Sequence, residues 1–228
     1  MIEEKKPRIS VVIPAKNEAP TIRNIILEAK KYAYEILVVD GLSGDDTRAI
    51  SRNEGARVCQ DSGRGKGIAI RLGIEKARGD IIVFMDADGS HDPKDIPHLV
   101  QPIADGKADM VIASRGKGGS DELQGDMEKT LRLLGSVIIN LIINIRWRQK
   151  LTDVQNGFRA IKTNMAQTLN LRENITTIEQ EMVMKALKLG FKIEEIPSHE
   201  YARKTGVSAI VLSKVWLRYI FTALKYLF

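Results

Sequence analysis

Two aspartates, Asp86 and Asp88, stand one residue apart directly after the apolar run Ile81–Met85. A continuous apolar run flanked by charge predicts a strand that is buried on both faces. Open α/β sheets bind their ligands beyond the carboxyl ends of such strands. Paired carboxylates at that edge can hold a hard divalent cation, which can in turn hold a diphosphate. A solvated acidic turn is the alternative, because so short a motif often matches by chance.

Other polar side chains follow further predicted strands and would reach the same edge of the sheet. They are Pro14, Lys16 and Glu18 after the first strand, Asp40 after the second, and Ser114 and Arg115 after the fifth. A carboxylate such as Asp40 can accept hydrogen bonds from a base or a ribose. Lys66, near the start of a predicted helix, and Arg115 can neutralise phosphate charge.

Strands and helices alternate along the first half of the chain, which predicts an α/β fold of Rossmann-like type. Its sheet would be mostly parallel, flanked by helices and joined by right-handed crossovers. The predicted strands are Ile9–Ile13, which Pro14 ends, Ile36–Val39, Arg57–Cys59, Ile81–Met85, Met110–Ala113, Gly157–Ile161 and Lys192–Ile196.

The composition limits the classes of function. With 228 residues, 43% hydrophobic and 28% charged, the chain is long enough for one globular domain with an appendage. The N-terminal segment MIEEKKPR contains no apolar stretch of a secretory signal, and a single cysteine, Cys59, suits a reducing compartment, so a cytoplasmic location is expected. A net charge of +6 favours anionic partners, but with 5% aromatic residues and no run of five or more basic residues a nucleic acid is not expected.

A helix of unusual composition is predicted in the second half of the chain. Leu131–Ile145 is apolar except for one stripe, Arg132, Ser136, Asn140 and Asn144, and such a helix is usually packed in the core. Before it, the glycine-rich stretch Gly116–Gly125 is expected to be mobile.

The C-terminal segment 207–228 is predicted as an amphipathic helix appended to a domain of residues 1–206. Lys214, Arg218 and Lys225 share one helical face, with apolar and aromatic residues over the remainder. Three cations make it a poor membrane span but a good interfacial helix, which predicts peripheral binding to a membrane surface. A helix docked on the domain is the alternative.

Two common phosphate-binding motifs are absent. After the first strand the chain reads Ala15-Lys16-Asn17-Glu18 instead of a dinucleotide-binding glycine fingerprint. Gly65-Lys66 is followed by Gly67 and not by the serine or threonine of a P-loop.

Five stretches, in their order and spacing, resemble family 2 inverting glycosyltransferases of the GT-A fold. They are VVIPAKNE, ILVVDGLSGDDT, GKGIAIRLGIEKARGD, VFMDADGSHDP and DVQNGFRAI. The similarity is greatest to dolichyl-phosphate mannose synthases and related polyprenyl-phosphate glycosyltransferases, and it covers nearly the whole chain. It implies a nucleotide sugar donor linked to UDP or GDP, dolichyl or polyprenyl phosphate as the acceptor, and Mg²⁺ or Mn²⁺ as the cofactor.

The resemblance also implies roles for individual residues. Nucleotide contacts fall to Pro14, Lys16, Glu18 and Asp40. The metal and diphosphate motif falls to Asp86, Ala87 and Asp88. The diphosphate and the acceptor phosphate would be served by Arg115 and Arg159, while Arg203 matches an arginine in the family's basic segment after the last strand.

The sequence departs from the family pattern at three places. Gly206-Val207-Ser208-Ala209 replaces a common Gly-x-Ser-Lys run, so Lys204 or Lys214 would have to supply that phosphate contact. Ser90 stands where some members supply a glutamine to the metal, and Asp40-Gly41 replaces a common pair of aspartates.

The kind of acceptor decides whether a catalytic base is needed. A phosphate monoester is largely ionised at neutral pH, since its second pKa is about 6, and needs cations rather than a base. A sugar hydroxyl needs a carboxylate, for which Asp153, Glu179 and Glu181 are candidates. A glycosyltransferase with a soluble acceptor, and a membrane module that only binds nucleotide sugars, are the alternatives. His91 either contacts the donor phosphate or is an ordinary loop histidine.

Overall fold

Seven strands form one sheet in the order β3-β2-β1-β4-β6-β5-β7. A computed structural model describes residues 6–121, 127–203 and 212–227, with side chains except at 127–132 and 212–216. The strands are β1 Ile9–Ala15, β2 Glu35–Asp40, β3 Arg57–Gln60, β4 Ile81–Phe84, β5 Met110–Ser114, β6 Arg159–Lys162 and β7 Ile193–Pro197. All run parallel except β6, which is antiparallel to both of its neighbours. The mostly parallel α/β sheet expected from the sequence is confirmed.

Helices cover both faces of the sheet. They are α1 Ala19–Ala29, α2 Thr47–Asn53, α3 Lys66–Lys76, α4 Ile96–Ala104, α5 Arg115–Gly118, α6 Met127–Trp147, α7 Thr163–Thr168, α8 Ile178–Lys188 and α9 Leu212–Leu227, with a 3₁₀ turn at Pro93–Asp95. The strands alternate in the direction their apolar side chains point, which gives one core on each face. Val12 and Phe84 lie in the core beneath α3 and α8, whereas Val11 and Val83 lie in the other beneath α1 and α4.

The first strand continues past the position where the sequence was expected to end it. Pro14 pairs in register with Val39, and Ala15 pairs with Asp40. The amide nitrogen of Pro14 faces the side of β4, which has already ended at Phe84. A proline is tolerated there because β1 has no paired strand on that side at this position, so the ladder needs no N–H donor. The extra length brings residues 15–18 to the same edge as the Asp86–Asp88 turn.

Helix α6 packs into the core through Ile139 and Ile143, but it is not buried all round. Its polar stripe faces the protein, where Ser136, Asn140 and Asn144 hydrogen-bond to residues 151–155. Its exposed apolar side chains are Leu133, Leu134, Val137, Ile138, Leu141 and Ile145. The reversal has a physical cause, since the unpaired backbone groups of residues 151–154 require polar partners that this stripe supplies.

Helix α9 packs against α6 and α8 through one face. Thr222 and Ala223 are buried, Tyr219 hydrogen-bonds to Thr176 through its hydroxyl at 2.6 Å, and Arg146 donates to the carbonyl of Leu227. The expected boundary at 206/207, the Gly206–Ala209 departure and Lys204 lie outside the described residues, as do residues 122–126 of the glycine-rich stretch. No helix in the described part of the chain is long and apolar enough to cross a membrane.

Glu173 connects α9 to the domain. Its buried carboxylate accepts from Lys225 at 2.9 Å and Thr177 at 3.0 Å, and Arg218 lies 3.6 Å away. Burial alone would raise the pKa of Glu173, but these donors and charges hold it below its usual 4.5. The stabilisation is therefore present above pH 4.5 and is lost as the pH falls through the lower pKa of the folded state.

We expect Glu173→Gln to lower the free energy of unfolding by about 1 kcal/mol at pH 7, or about 2–4 °C in Tm. The deficit should shrink when unfolding is measured well below pH 4.5. Glu75→Gln is the matched control, because Glu75 is exposed and pairs only with its neighbour Lys76. An equal deficit at both pH values would contradict the assignment.

Candidate active site

The Asp86–Asp88 turn is fixed by the strands beside it. The amide of Met85 donates to the carbonyl of Val12, and the Thr21 hydroxyl donates to the carbonyl of Ala87 at 2.7 Å. Gly89 completes the turn with φ of 79°, a left-handed value that favours glycine. Both aspartates are thereby placed at the carboxyl edge of β4, as the sequence predicted.

Lys66 joins the first aspartate to a second carboxylate. Its ammonium lies 2.5 Å from Asp86 Oδ1 and 2.9 Å from Glu179 Oε1. Burial disfavours the ammonium, but the two carboxylates raise the pKa of Lys66 above its usual value. Burial would likewise raise the pKa of Asp86, but Lys66 and His91 hold it well below its usual range. Both groups are therefore charged at neutral pH.

Asp88 is held by a serine and an arginine. Ser90 donates to Asp88 Oδ1 through its hydroxyl at 2.6 Å and through its amide at 3.0 Å. Arg203 lies 3.6 Å from Asp88 Oδ2. Ser90 thus orients Asp88. Arg203, which the resemblance assigns to a basic segment, lies directly beside the predicted metal motif.

Gly157 makes room for the half-buried ion pair of Lys66 and Asp86. A Cβ atom at this position would lie 2.6 Å from the Lys66 nitrogen and 3.0 Å from Asp86 Oδ2. The next residue, Phe158, stacks on the ring of His91 with centroids 4.9 Å apart, and His91 Nε2 lies 3.7 Å from Asp86 Oδ2. The sequence indicated Gly157 only as one letter of a motif, because its role depends on a close approach between distant segments.

Arg115 and Asp153 form a bidentate ion pair. Nε and Nη2 of Arg115 donate to the two carboxylate oxygens of Asp153 at 2.7 and 2.8 Å, and the Arg115 amide donates at 3.0 Å. Glu200 accepts from Arg115 Nη1 at 3.3 Å and from Ser120 at 2.5 Å. Burial disfavours the guanidinium, but Asp153 and Glu200 raise the pKa of Arg115. No pattern in the sequence indicated a role for Glu200.

Arg159 lies beneath the site and is 1% exposed. It is the first residue of β6, and its guanidinium donates only to backbone carbonyls, those of Val154, Asn156 and Glu179. Burial lowers the pKa of Arg159 to about 10, so it stays charged at pH 7. Arg159 therefore adds positive potential and fixes residues 154–156.

The end of the site that is predicted to bind the nucleotide contains a carboxylate oxygen without a hydrogen bond. Asp40 is buried, and its Oδ2 accepts from the amide of Ser43 at 3.1 Å, while Oδ1 has no hydrogen bond. A buried acceptor left in this state fits a donor group on a base or ribose. Burial and the charge of Asp40 raise the pKa of the neighbouring Asp61.

The loop after β1 closes this end. Pro14 lies in β1, and Lys16 donates to the carbonyl of Gly63 at 3.4 Å. The amide of Glu18 is held by the Thr47 hydroxyl at 2.8 Å. The residues predicted to contact the nucleotide are thus brought together around Asp40.

Of the other two candidate bases, Glu181 has a structural contact and Glu179 borders the site, while His98 and His199 had no predicted role. Glu181 is fully buried and accepts from the amides of Arg172 and Glu173, so it supports a loop. His98 is exposed, and His199 pairs with Asp121. Among the three candidate bases, all of them within the described residues, Glu179 keeps a carboxylate oxygen without a hydrogen bond, its buried Oε2.

The charge balance around the turn suits a divalent cation. Five carboxylates, Asp86, Asp88, Asp153, Glu179 and Glu200, stand against four cations, Lys66, Arg115, Arg159 and Arg203. The described residues contain no group of three or more His, Cys, Asp and Glu side chains that could hold a metal alone. Two carboxylates and this excess of negative charge fit a cation whose other ligands come from a diphosphate and water.

Solved structures share this architecture. Glucosyl-3-phosphoglycerate synthase of Mycobacterium tuberculosis, crystallised with Mn²⁺, UDP and glucosyl-3-phosphoglycerate, aligns with a TM-score of 0.77 at 24% identity, covering 97% of this chain and 80% of that chain. The same enzyme with Mg²⁺ and UDP gives a TM-score of 0.76 at 23% identity, covering 97% and 79%. The fold is the GT-A fold of nucleotide-sugar-dependent glycosyltransferases.

Residues 10–169 match the model described as glycosyl transferase family 2. The chain therefore belongs to glycosyl transferase family 2. An uncharacterised protein of Methanocaldococcus jannaschii is 33% identical over 96% of this chain and 93% of that protein.

Two further relatives carry functional names. Glycosyltransferase AglJ of Haloferax volcanii is 30% identical over 87% of this chain, which spans 64% of that relative. The UDP-N-acetylglucosamine–dolichyl-phosphate N-acetylglucosaminyltransferase of Methanococcus voltae is 27% identical over 92% of this chain and 94% of that enzyme.

We expect Gly157→Ala to weaken binding of UDP with Mn²⁺ by about ten-fold, because the new methyl displaces the Lys66 ammonium from Asp86. Lys66 is flexible at its far end, so the thermal stability should change little. Isothermal titration calorimetry measures the affinity, and a melting curve measures the stability.

Gly135→Ala is the matched control. It lies in α6 with nothing within 4 Å of the added Cβ. It should stabilise the helix by about 0.5–1 kcal/mol and leave the affinity unchanged. Equal affinities for the two variants would contradict the role given to Gly157.

Proposed function

We propose that this glycosyltransferase moves a hexose from a nucleotide sugar, UDP- or GDP-linked, to dolichyl or polyprenyl phosphate with inversion at the anomeric carbon. The product is a lipid-phosphate sugar, a donor for later glycan assembly. Catalysis is proposed to depend on Mg²⁺ or Mn²⁺, and the protein is placed on the cytoplasmic face of a membrane. The name of the Methanococcus voltae relative and the metals and UDP bound by the mycobacterial enzyme support this choice.

The observation that carries the proposal is the state of the candidate bases. Asp153 is bound through both oxygens to Arg115, and Glu181 supports a loop. Glu179 is bound to Lys66 through one oxygen. Of the six carboxylate oxygens of these residues, five are occupied by a cation or an amide and one, Glu179 Oε2, has no hydrogen bond, so a sugar hydroxyl that needs a free carboxylate is poorly served. A lipid phosphate needs no base, because it is largely ionised already.

The residues of the site serve two anionic groups, the diphosphate of the donor and the phosphate of the acceptor. Asp40 and the loop at residues 14–18 hold the nucleoside, and Asp86 and Asp88 hold the cation that stabilises the leaving diphosphate. Lys66 and Arg203 lie beside those aspartates and neutralise donor phosphate charge. Arg115 and the buried Arg159 supply positive potential on the acceptor side, where the phosphate oxygen attacks the anomeric carbon.

The acceptor proposal is tested by supplying polyprenyl phosphate and measuring radiolabelled sugar that extracts with the lipid. UDP-N-acetylglucosamine, UDP-glucose and GDP-mannose are offered in turn, each with and without a chelator. We expect a lipid product that the chelator abolishes. Transfer to water-soluble acceptors only would overturn the lipid-phosphate proposal and favour the soluble-acceptor alternative, for which the phosphoglyceric acid bound by the mycobacterial structural relative is the precedent.

We expect Asp88→Asn to reduce transfer about 100-fold or more, since it removes a charge that holds the cation on the diphosphate. Asp92→Asn is the control, because Asp92 only caps the turn at Lys94. The same loss should appear in the Mn²⁺-dependent binding of UDP. Unchanged binding and transfer in Asp88→Asn would exclude the metal role.

Glu179→Gln separates a phosphate acceptor from a hydroxyl acceptor. Loss of a general base costs about 10²–10⁴-fold in rate. We expect a drop of less than about ten-fold, since the amide oxygen still accepts from Lys66 and no base is required. A loss of the full size, reversed at high pH, would favour Glu179 as a base for a hydroxyl.

A further inference from the structure

Helices α6 and α9 turn apolar side chains away from the protein. We call these side chains the α6–α9 surface. Six of them lie on α6, Leu133, Leu134, Val137, Ile138, Leu141 and Ile145. Four lie on α9, Leu217, Ile220, Phe221 and Leu224. The ten are 40% to 71% exposed, although both helices are anchored to the domain through their other faces.

This concentration is unusual for one part of a water-soluble surface. The described residues include fifteen exposed large apolar side chains, and ten of them belong to these two helices. Scattered exposed apolar residues need no explanation, but a contiguous patch marks a surface that binds a protein or a membrane. The two helices pack against each other, and Arg146 of α6 donates to the carbonyl of Leu227 at the end of α9, so both sets of exposed side chains belong to one packed pair of helices.

The charges on and beside these helices are mostly positive, with Glu128 in the first turn of α6 and Glu173, which pairs with Arg218 and Lys225, as exceptions. Residues 129–152 and 204–228 contain nine Lys and Arg residues and no Asp or Glu. The remainder of the chain has 26 Lys and Arg against 29 Asp and Glu, a net charge of −3, so these two segments carry the entire positive excess of the +6 chain. Arg146, Arg148 and Lys150 are exposed at the end of α6, and Arg218 and Lys225 are exposed on α9.

We propose that the α6–α9 surface docks on an anionic lipid bilayer. Apolar side chains would enter the acyl boundary while the cations beside them meet the headgroups, which is how interfacial helices bind. A second copy of the chain fits less well, because a two-fold interface would bring the basic residues beside this surface close to the same residues of the other copy. The docking extends beyond the C-terminal helix to α6, which contributes more than half of the exposed apolar side chains.

The same helix that would touch the bilayer also holds the acceptor side of the site. The polar stripe of α6 binds residues 151–155, and that segment contains Asp153, which holds Arg115. A helix is about 10 Å across, so the outer face of α6 lies about one helix diameter from residues 151–155. This link rests on the proposed function, since only a lipid acceptor would make use of it, whereas the docking itself does not.

Sedimentation of the purified chain with vesicles tests the docking. Vesicles of phosphatidylcholine alone are compared with vesicles that also contain phosphatidylglycerol. We expect binding to the anionic vesicles, and a loss on the order of 10–100-fold for the double variant Ile138→Gln/Leu141→Gln. Both side chains are exposed, so the fold should tolerate the change. Leu27→Gln/Tyr34→Gln is the matched control, with exposed apolar residues far from α6.

A charge variant tests the second half of the proposal. Arg148→Gln/Lys150→Gln should weaken binding by about five-fold for each charge, and the difference should vanish at 1 M salt, where the screening length is about 3 Å. Lys31→Gln/Lys94→Gln is the control, because these exposed lysines lie outside the two basic segments.

The outcomes separate this proposal from the proposed function. Failure of the wild-type chain to bind anionic vesicles, or equal binding by the α6 variant and its control, would overturn the docking. A change from dimer to monomer in the α6 variant, with vesicle binding unaffected, would assign the surface to a second copy instead. If docking is right, the α6 variant loses transfer to acceptor embedded in vesicles but keeps transfer to a short, soluble isoprenyl phosphate. If neither acceptor is used by any variant while vesicle binding follows the prediction, the proposed function fails and the docking stands.

Discussion

The contact of half-buried Lys66 with half-buried Asp86 and buried Glu179 is the constraint on which the site depends. It joins the first residue of α3, the turn after β4 and the start of α8, which are far apart in the sequence. Taking three charges out of water is costly, and the cost is offset only when each charge has close partners. Gly157 is needed because any larger residue would occupy the space in which the ammonium meets Asp86. The position of the metal motif is therefore set by a lysine, a glutamate and a glycine outside the motif.

The reversed strand β6 explains how the second arginine is used. Because β6 runs antiparallel to β4 and β5, it begins at the edge where the other strands end. Its first residue, Arg159, consequently lies under the site and donates to the carbonyls of residues 154, 156 and 179. Because the guanidinium of Arg159 donates to those buried carbonyls, its positive charge is held in a fixed position beneath the predicted acceptor side. A parallel β6 would have put the same residue at the opposite edge of the sheet.

Much of this could be predicted from sequence, because burial and strand periodicity are local signals. The mostly parallel sheet, the Asp86–Asp88 turn and the approach of Asp40 to it follow from apolar runs that end in polar residues. The orientation of α6 could not be predicted that way. A helix that is apolar nearly all round can bury either side, and the choice is made by hydrogen-bonding needs of residues 151–155. The pairing of Asp153 with Arg115, and the part taken by Glu200, likewise depend on segments that meet only in the folded chain.

The distribution of charge separates the two surfaces that the proposed reaction requires. The residues around Asp86 and Asp88 carry one more carboxylate than cation, so a diphosphate is attracted there only when a divalent cation accompanies it. The excess positive charge lies instead on residues 129–152 and 204–228, around the α6–α9 surface. The proposed anionic bilayer would therefore be attracted to that surface and not to the mouth of the donor site. Since α6 contacts residues 151–155 through its polar stripe, the proposed lipid side and donor side meet at Asp153 and Arg115, where the proposed acceptor phosphate would arrive.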